Sequence, residues 1–209
     1  MKKVLQVLGG LFVIVLLGAG GLLLYKGGEK KDKAEVQQTI KSDDGTKVMS
    51  EALGFYYRNT LLNGQVYRPA EDKGSMPAIV YCQSIDTGRP YCRELAAKGF
   101  VVYSFDFPSE DMTTRVNQLK SIVKQVSGLR YVNSSKVFLI GAGNGSLTAC
   151  NFTFDNPSAI KGLILFNPGF NPLEISRKAS RYNGQILVVD VNQGMKTTVQ
   201  EILDYVDGF

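Results

Sequence analysis

The chain has 209 residues, an apolar share of 44%, a formal net charge of +5 and no histidine. That suits one folded domain and excludes a disordered chain. Residues 1 to 33 hold six lysines against Glu29 and Asp32, so only +1 of the charge is left to the remainder, and a nucleic-acid partner is excluded.

The chain opens on "MKKVLQVLGGLFVIVLLGAGGLLLYK", in which Val4 to Tyr25 are 22 uncharged, mostly apolar residues. As a helix this run is long enough to cross a hydrocarbon layer. Its "GAGG" lies inside the run rather than closing it, so an uncleaved anchor is expected rather than a cleaved signal peptide. The expected organisation is a transmembrane anchor over residues 1–26, a polar linker over 27–47 and a folded domain over 48–209. Partners follow from this: the lipid bilayer through residues 4–25, with Lys26, Lys30, Lys31 and Lys33 near anionic headgroups, and a protein of the membrane or envelope. Those lysines pull the domain toward the cytoplasm, whereas the short N-terminal tail favours a single-pass protein with its domain outside, which is the orientation expected here.

Beyond the linker, "GFYYRNTLLNGQVYRPA" predicts two short strands turned at Asn63-Gly64, because Asn-Gly supplies the positive φ angles of a tight hairpin. Phe55, Tyr56, Tyr57 and Tyr67 are expected to pack within it. "PAIVYCQS" predicts a buried strand, "RPYCRELAAKG" a helix with a glycine stop, and "FVVYSFDF" a strand ended by Pro108. Asp106 reads as a strand-end carboxylate. "SEDMTTRVNQLKSIVKQVSG" predicts a helix capped by Ser109, with Val116, Leu119, Ile122, Val123 and Val126 on one face and a stop at Gly128. "SKVFLIGA", "IKGLILFNPG" and "GQILVVDVN" predict further strands. Helices are expected at Leu147 to Phe154, at Leu173 to Ala179, and over the closing "TTVQEILDYVDGF". Apolar strands alternating with amphipathic helices predict an α/β fold with a doubly wound, mostly parallel sheet.

Cys82, Cys92 and Cys150 are too few and too irregularly spaced for a disulfide scaffold or a paired-ligand zinc site. Three buried thiols are expected, with neither metal nor cofactor.

From Leu62 to Phe170 the order of elements resembles the α/β-hydrolase superfamily, esterases and lipases included. "GQVYRPAEDKGSMPAIVYCQS" is similar to the family's entry strands, "RELAAKGFVVYSFDFP" to the helix and strand that follow, and "KVFLIGAGNGS" to its strand and nucleophile elbow. The resemblance implies an antiparallel hairpin ahead of the parallel sheet. It also implies a GxSxG corner in which the serine sits between small residues. Here Gly141, Gly143 and Gly145 fill that pattern, so glycine occupies the serine position. The family's His-Gly pair is replaced by Gln83 and Ser84, and with no histidine the serine–histidine relay cannot operate in any register. The acid would fall near Gly194, with Asp190 as the neighbouring candidate.

The expected function is therefore a membrane-anchored pseudohydrolase domain acting as a binding or scaffold module. Its remaining feature would be an oxyanion-hole-like nest at Gln83, Ser84 and Asn144. One alternative is an esterase- or lipase-type hydrolase using Cys82 or Ser84 as nucleophile. Another takes "GAGNGS" as a nucleotide or phosphate turn, although Ser146 stands where the third glycine of that fingerprint belongs.

Overall fold

The computed structural model describes residues 37–71, 74–175, 178–179, 182 and 184–209, and the backbone of 12–17 and 21–26. In the N-terminal unit, Phe12–Leu17 (β1) and Gly21–Lys26 (β2) pair antiparallel, with Leu17 opposite Gly21. The helix expected over Val4 to Tyr25 is not seen in these two stretches, and the rest of that run lies outside the described residues. Among the described residues no helix is long and apolar enough to cross a membrane.

The second unit begins with Gln38–Lys41 (β3), which pairs with Lys47–Ala52 (β4). The sheet thus starts inside the stretch expected to be linker. The turn between the two strands is held against the next helix by charge. Arg93 bridges Asp43 and Glu94, Lys98 meets Asp44 at 3.0 Å, and the Asp43 N–H donates to Glu94 at 2.9 Å. Hydrogen bonds from the Ser42 hydroxyl and from Thr46 hold the Asp44 carboxyl well below the usual carboxylate range.

Phe55–Tyr57 (β5) and Thr60–Leu62 (β6) form a separate small hairpin, followed by Gly64–Pro69 (β7). The expected turn at Asn63-Gly64 is therefore misplaced: the chain reverses at Arg58, whose φ is +53°, and Asn59. Gly64 serves packing instead, because a Cβ there would overlap the Tyr103 hydroxyl, which donates to the Leu53 carbonyl at 3.0 Å. The aromatic run is divided as well. Phe55 and Tyr67 are buried in opposite cores, whereas Tyr56 is 65% exposed.

Next come Met76–Cys82 (β8), the helix Ile85–Ala97 (α1), Val101–Phe105 (β9), Met112–Ser127 (α2), Val132–Ala142 (β10) and Asn144–Asp155 (α3). Gly162–Phe166 (β11), Ile186–Val189 (β12) and Met195–Asp207 (α4) complete the chain. Helix α1 starts four residues before the expected Arg89, since the Asp106 carboxylate accepts from the Ile85 N–H at 3.1 Å and caps the first turn from another strand. Helix α2 is capped by Asp111, which accepts from the Thr114 N–H at 2.7 Å, and not by Ser109. Of the helix expected at Leu173 to Ala179, the residues up to Ile175 form turns, and Ser176 and Arg177 lie outside the described residues.

The main sheet has eight strands in the order β12-β11-β10-β8-β9-β7-β4-β3. Strands β8 to β12 run parallel, while β7, β4 and β3 alternate in direction beside β9. Successive side chains of a strand point to opposite faces, so each apolar run feeds two cores. In β8, Ala78, Val80 and Cys82 join Leu119 and Ile122 of α2 and Phe152 of α3. Ile79 and Tyr81 join Leu95 of α1 and Ile202 of α4 on the other side. This double covering places the carboxyl ends of β8 and β10 side by side, where α1 and α3 begin.

Candidate functional site

Strand β10 ends at Ala142 and α3 begins at Asn144, so the corner is the single residue Gly143, with φ +49° and ψ −129°. For a residue with a side chain this conformation is strained, and glycine adopts it freely. The flanking glycines answer a different need. A Cβ on Gly141 would lie 2.8 Å from both the Ala149 Cβ and the Ser146 Cα, and a Cβ on Gly145 would overlap the Cys82 carbonyl oxygen. Strand and helix approach this closely only because both positions lack a side chain.

What faces the corner is Gln83, the residue after β8, which also bridges to Phe105. A Cβ on Gly143 would stand 3.0 Å from the Gln83 Nε2. The structure therefore brings Gln83 and Gly143 together, and the carboxamide side chain lies beside the position where a nucleophile's side chain would start. Asn144 is exposed in the first turn of α3. Ser84 is exposed at the head of α1, and its carbonyl accepts from the Thr87 hydroxyl and the Gly88 N–H, both at 3.1 Å.

Cys82 is placed differently from what a nucleophile requires. Its side chain is buried in the core shared by α2 and α3, and burial pushes its thiol far above the ordinary thiol range despite the opposing field of Arg115. As an alternative nucleophile it is corrected by this burial. Cys92 and Cys150 are likewise free and buried, the latter pushed up to about 12 by desolvation.

Three further polar residues at the carboxyl ends of strands hold the backbone. Asp106 caps α1, Asp190 accepts from the Asn192 N–H at 3.0 Å, and Asn167, at φ +40°, accepts from the Val191 N–H at 3.1 Å. Asp190 directly follows β12, so an acid does stand at the end of that strand, but its carboxylate is engaged in its own turn. The roles of Asn167 and of the Gln83 side chain were not legible in the sequence. Both depend on which strands lie next to each other, and no local pattern records that.

No protein-family model and no curated protein matches the chain. Solved structures do. A dienelactone hydrolase-like promiscuous phosphotriesterase from metagenomic libraries superposes with a TM-score of 0.59 at 17% identity, covering 75% of each chain. A candidate dienelactone hydrolase from Klebsiella pneumoniae gives 0.57 at 15% identity, over 77% of this chain and 82% of its own. The chain has the α/β-hydrolase fold. An esterase of Pyrobaculum calidifontis shares more sequence, 27%, but over 63% of this chain and 48% of its own, with a TM-score of 0.52. In this fold Gly143 is the corner between β10 and α3.

Proposed function

We propose that this protein is a non-hydrolytic α/β-hydrolase-fold domain, a binding or scaffold module attached to a membrane through Val4 to Tyr25, with the domain outside the cytoplasm. The observation that carries the non-hydrolytic reading is Gly143, a residue without a side chain in the strained geometry of the elbow, faced by the Gln83 amide and with no histidine in the 209 residues. Backbone N–H groups of Gln83, Ser84 and Asn144 would give the corner a seat for a carbonyl or an anion, with no group to attack it. Attachment to a membrane rests on the apolar run, and the outside orientation on the short N-terminal tail ahead of it, against the pull of Lys26, Lys30, Lys31 and Lys33.

A second reading, a hydrolase with an unorthodox nucleophile, is favoured by the solved neighbours, which include esterases and a phosphotriesterase. Of its two candidate nucleophiles only Ser84 is exposed. One experiment separates the readings. The full chain in a non-ionic detergent is incubated with p-nitrophenyl acetate, and in parallel with a fluorophosphonate probe. The binding reading expects release no faster than in buffer and no labelling, both unchanged by Gly143→Ser, because a serine there has no base to activate it. Turnover or labelling that Ser84→Ala abolishes establishes the hydrolase instead.

A further inference from the structure

On the α1 face, at the far side of the sheet from β12, the cross-strand register sets Gln38 opposite Ser50 and Ser50 opposite Tyr67, so these three side chains share one face. Helix α1 packs mainly on β9 and β7 and touches β4 less. The result is a groove of about 250 Å³ between Arg89 of α1 and strand β3. That is below the roughly 300–1,000 Å³ of drug-sized ligand sites and suits a smaller molecule.

Its chemistry is one-sided. The Arg89 guanidinium and the amides of Gln38 and Gln65 present hydrogen-bond donors, and Tyr67 beside them is buried. Gln65 is held in place by donating to the Ser50 hydroxyl at 2.7 Å. No carboxylate is among the described lining residues. Asp86, outside the groove, takes one Arg89 amino group at 2.7 Å, and the guanidinium carries further N–H donors. Ile40 and Ala52 add a small apolar patch.

We propose that this groove binds a small carboxylate with a short aliphatic tail, its carboxyl group on Arg89 and its tail over Ile40 and Ala52. The site lies apart from the Gly143 corner and does not depend on what that corner does. The parallel N–H groups of a guanidinium match the two oxygens of a carboxylate, and the amides supply a neutral rim that does not repel it.

The test uses the full chain in a non-ionic detergent, labelled with nitrogen-15 in glutamine and arginine, with sodium butyrate as the probe. Saturable shifts of the Gln38 and Gln65 side-chain amides and of the Arg89 Nε resonance are expected in the millimolar range. Neither sodium chloride at equal ionic strength nor butylamine should reproduce them. Arg89→Met should raise the butyrate Kd at least about tenfold, and Gln38→Ala should raise it less while leaving α1 untouched. The Arg89 side chain is 60% exposed, so its replacement leaves the core intact, and the unchanged backbone spectrum is the control. Shifts that do not saturate, that butylamine reproduces, or that neither variant weakens would overturn the proposal.

Discussion

Gly141, Gly143 and Gly145 bear the same hydrogen for different reasons. Gly141 and Gly145 are close-approach positions, where an added methyl meets the α3 helix or the backbone carbonyl of Cys82. Gly143 is a conformational position, and the nearest group to an added methyl is the end of the Gln83 side chain, which can swing aside. Gly145→Ala must move backbone and is expected to cost about 3 kcal/mol. Gly143→Ala keeps the packing and is expected to cost about 1 to 2 kcal/mol, the strain of its φ alone. Urea unfolding measures both, and the reverse ranking would show that the corner, not the helix–strand contact, limits the turn. Glycine at position 143 is thus compatible with the tight corner between β10 and α3.

At the scale of elements, the starts of α1 and α2 are set by carboxylates whose distance in sequence varies. Asp111 caps α2 from the adjacent residue, whereas Asp106 reaches α1 across 21 positions. The hydrogen bond from Thr114 holds the Asp111 carboxyl below its ordinary range, so its contribution is present above the unfolded pKa and is lost as pH falls through the folded one. Asp111→Ala is expected to lower the melting temperature by a few degrees near neutral pH, with the difference from the parent closing in acid. Ser109→Ala should change it less, because the Ser109 hydroxyl accepts from the Asp111 N–H outside the helix, and its carbonyl, which takes the Arg115 Nε, is kept. Calorimetry at neutral and acidic pH checks both, and equal effects would return the cap to Ser109.

Across the whole molecule, one sheet separates two cores, and every cysteine is inside one of them: Cys82 and Cys150 under α2 and α3, Cys92 under α1. None is accessible without opening a core, so the rate of thiol modification reports unfolding of the domain. Ellman's reagent should leave all three thiols essentially unmodified in the native protein and titrate all three in denaturant. Prompt reaction of one thiol under native conditions would locate a core that opens on its own. The same architecture explains why the two candidate binding regions are separate. The Gly143 corner lies where β8 and β10 meet, and the Arg89 groove lies between α1 and the outer strands β3, β4 and β7.

Local chemistry determined much of this protein by itself. The continuous apolar runs in "PAIVYC" and "KVFLIGA", the helical spacing of apolar residues in α2, and the glycine spacing after β10 depend only on residues near one another in the chain, so strands, helices and the corner could be read from them. The absence of histidine from the 209 residues could be read directly. Local preference failed where a distant contact outweighed it. Asn63-Gly64 has the residues of a tight turn, yet Gly64 is spent on the Tyr103 hydroxyl, and Arg58 takes the positive φ instead. Only the tertiary structure decided that Gln83 faces Gly143, that Asp106 caps α1, and that Arg89 and Tyr67 line one groove. Each of these follows from the order of strands, which crossover connections set over tens of residues and which no short-range pattern encodes.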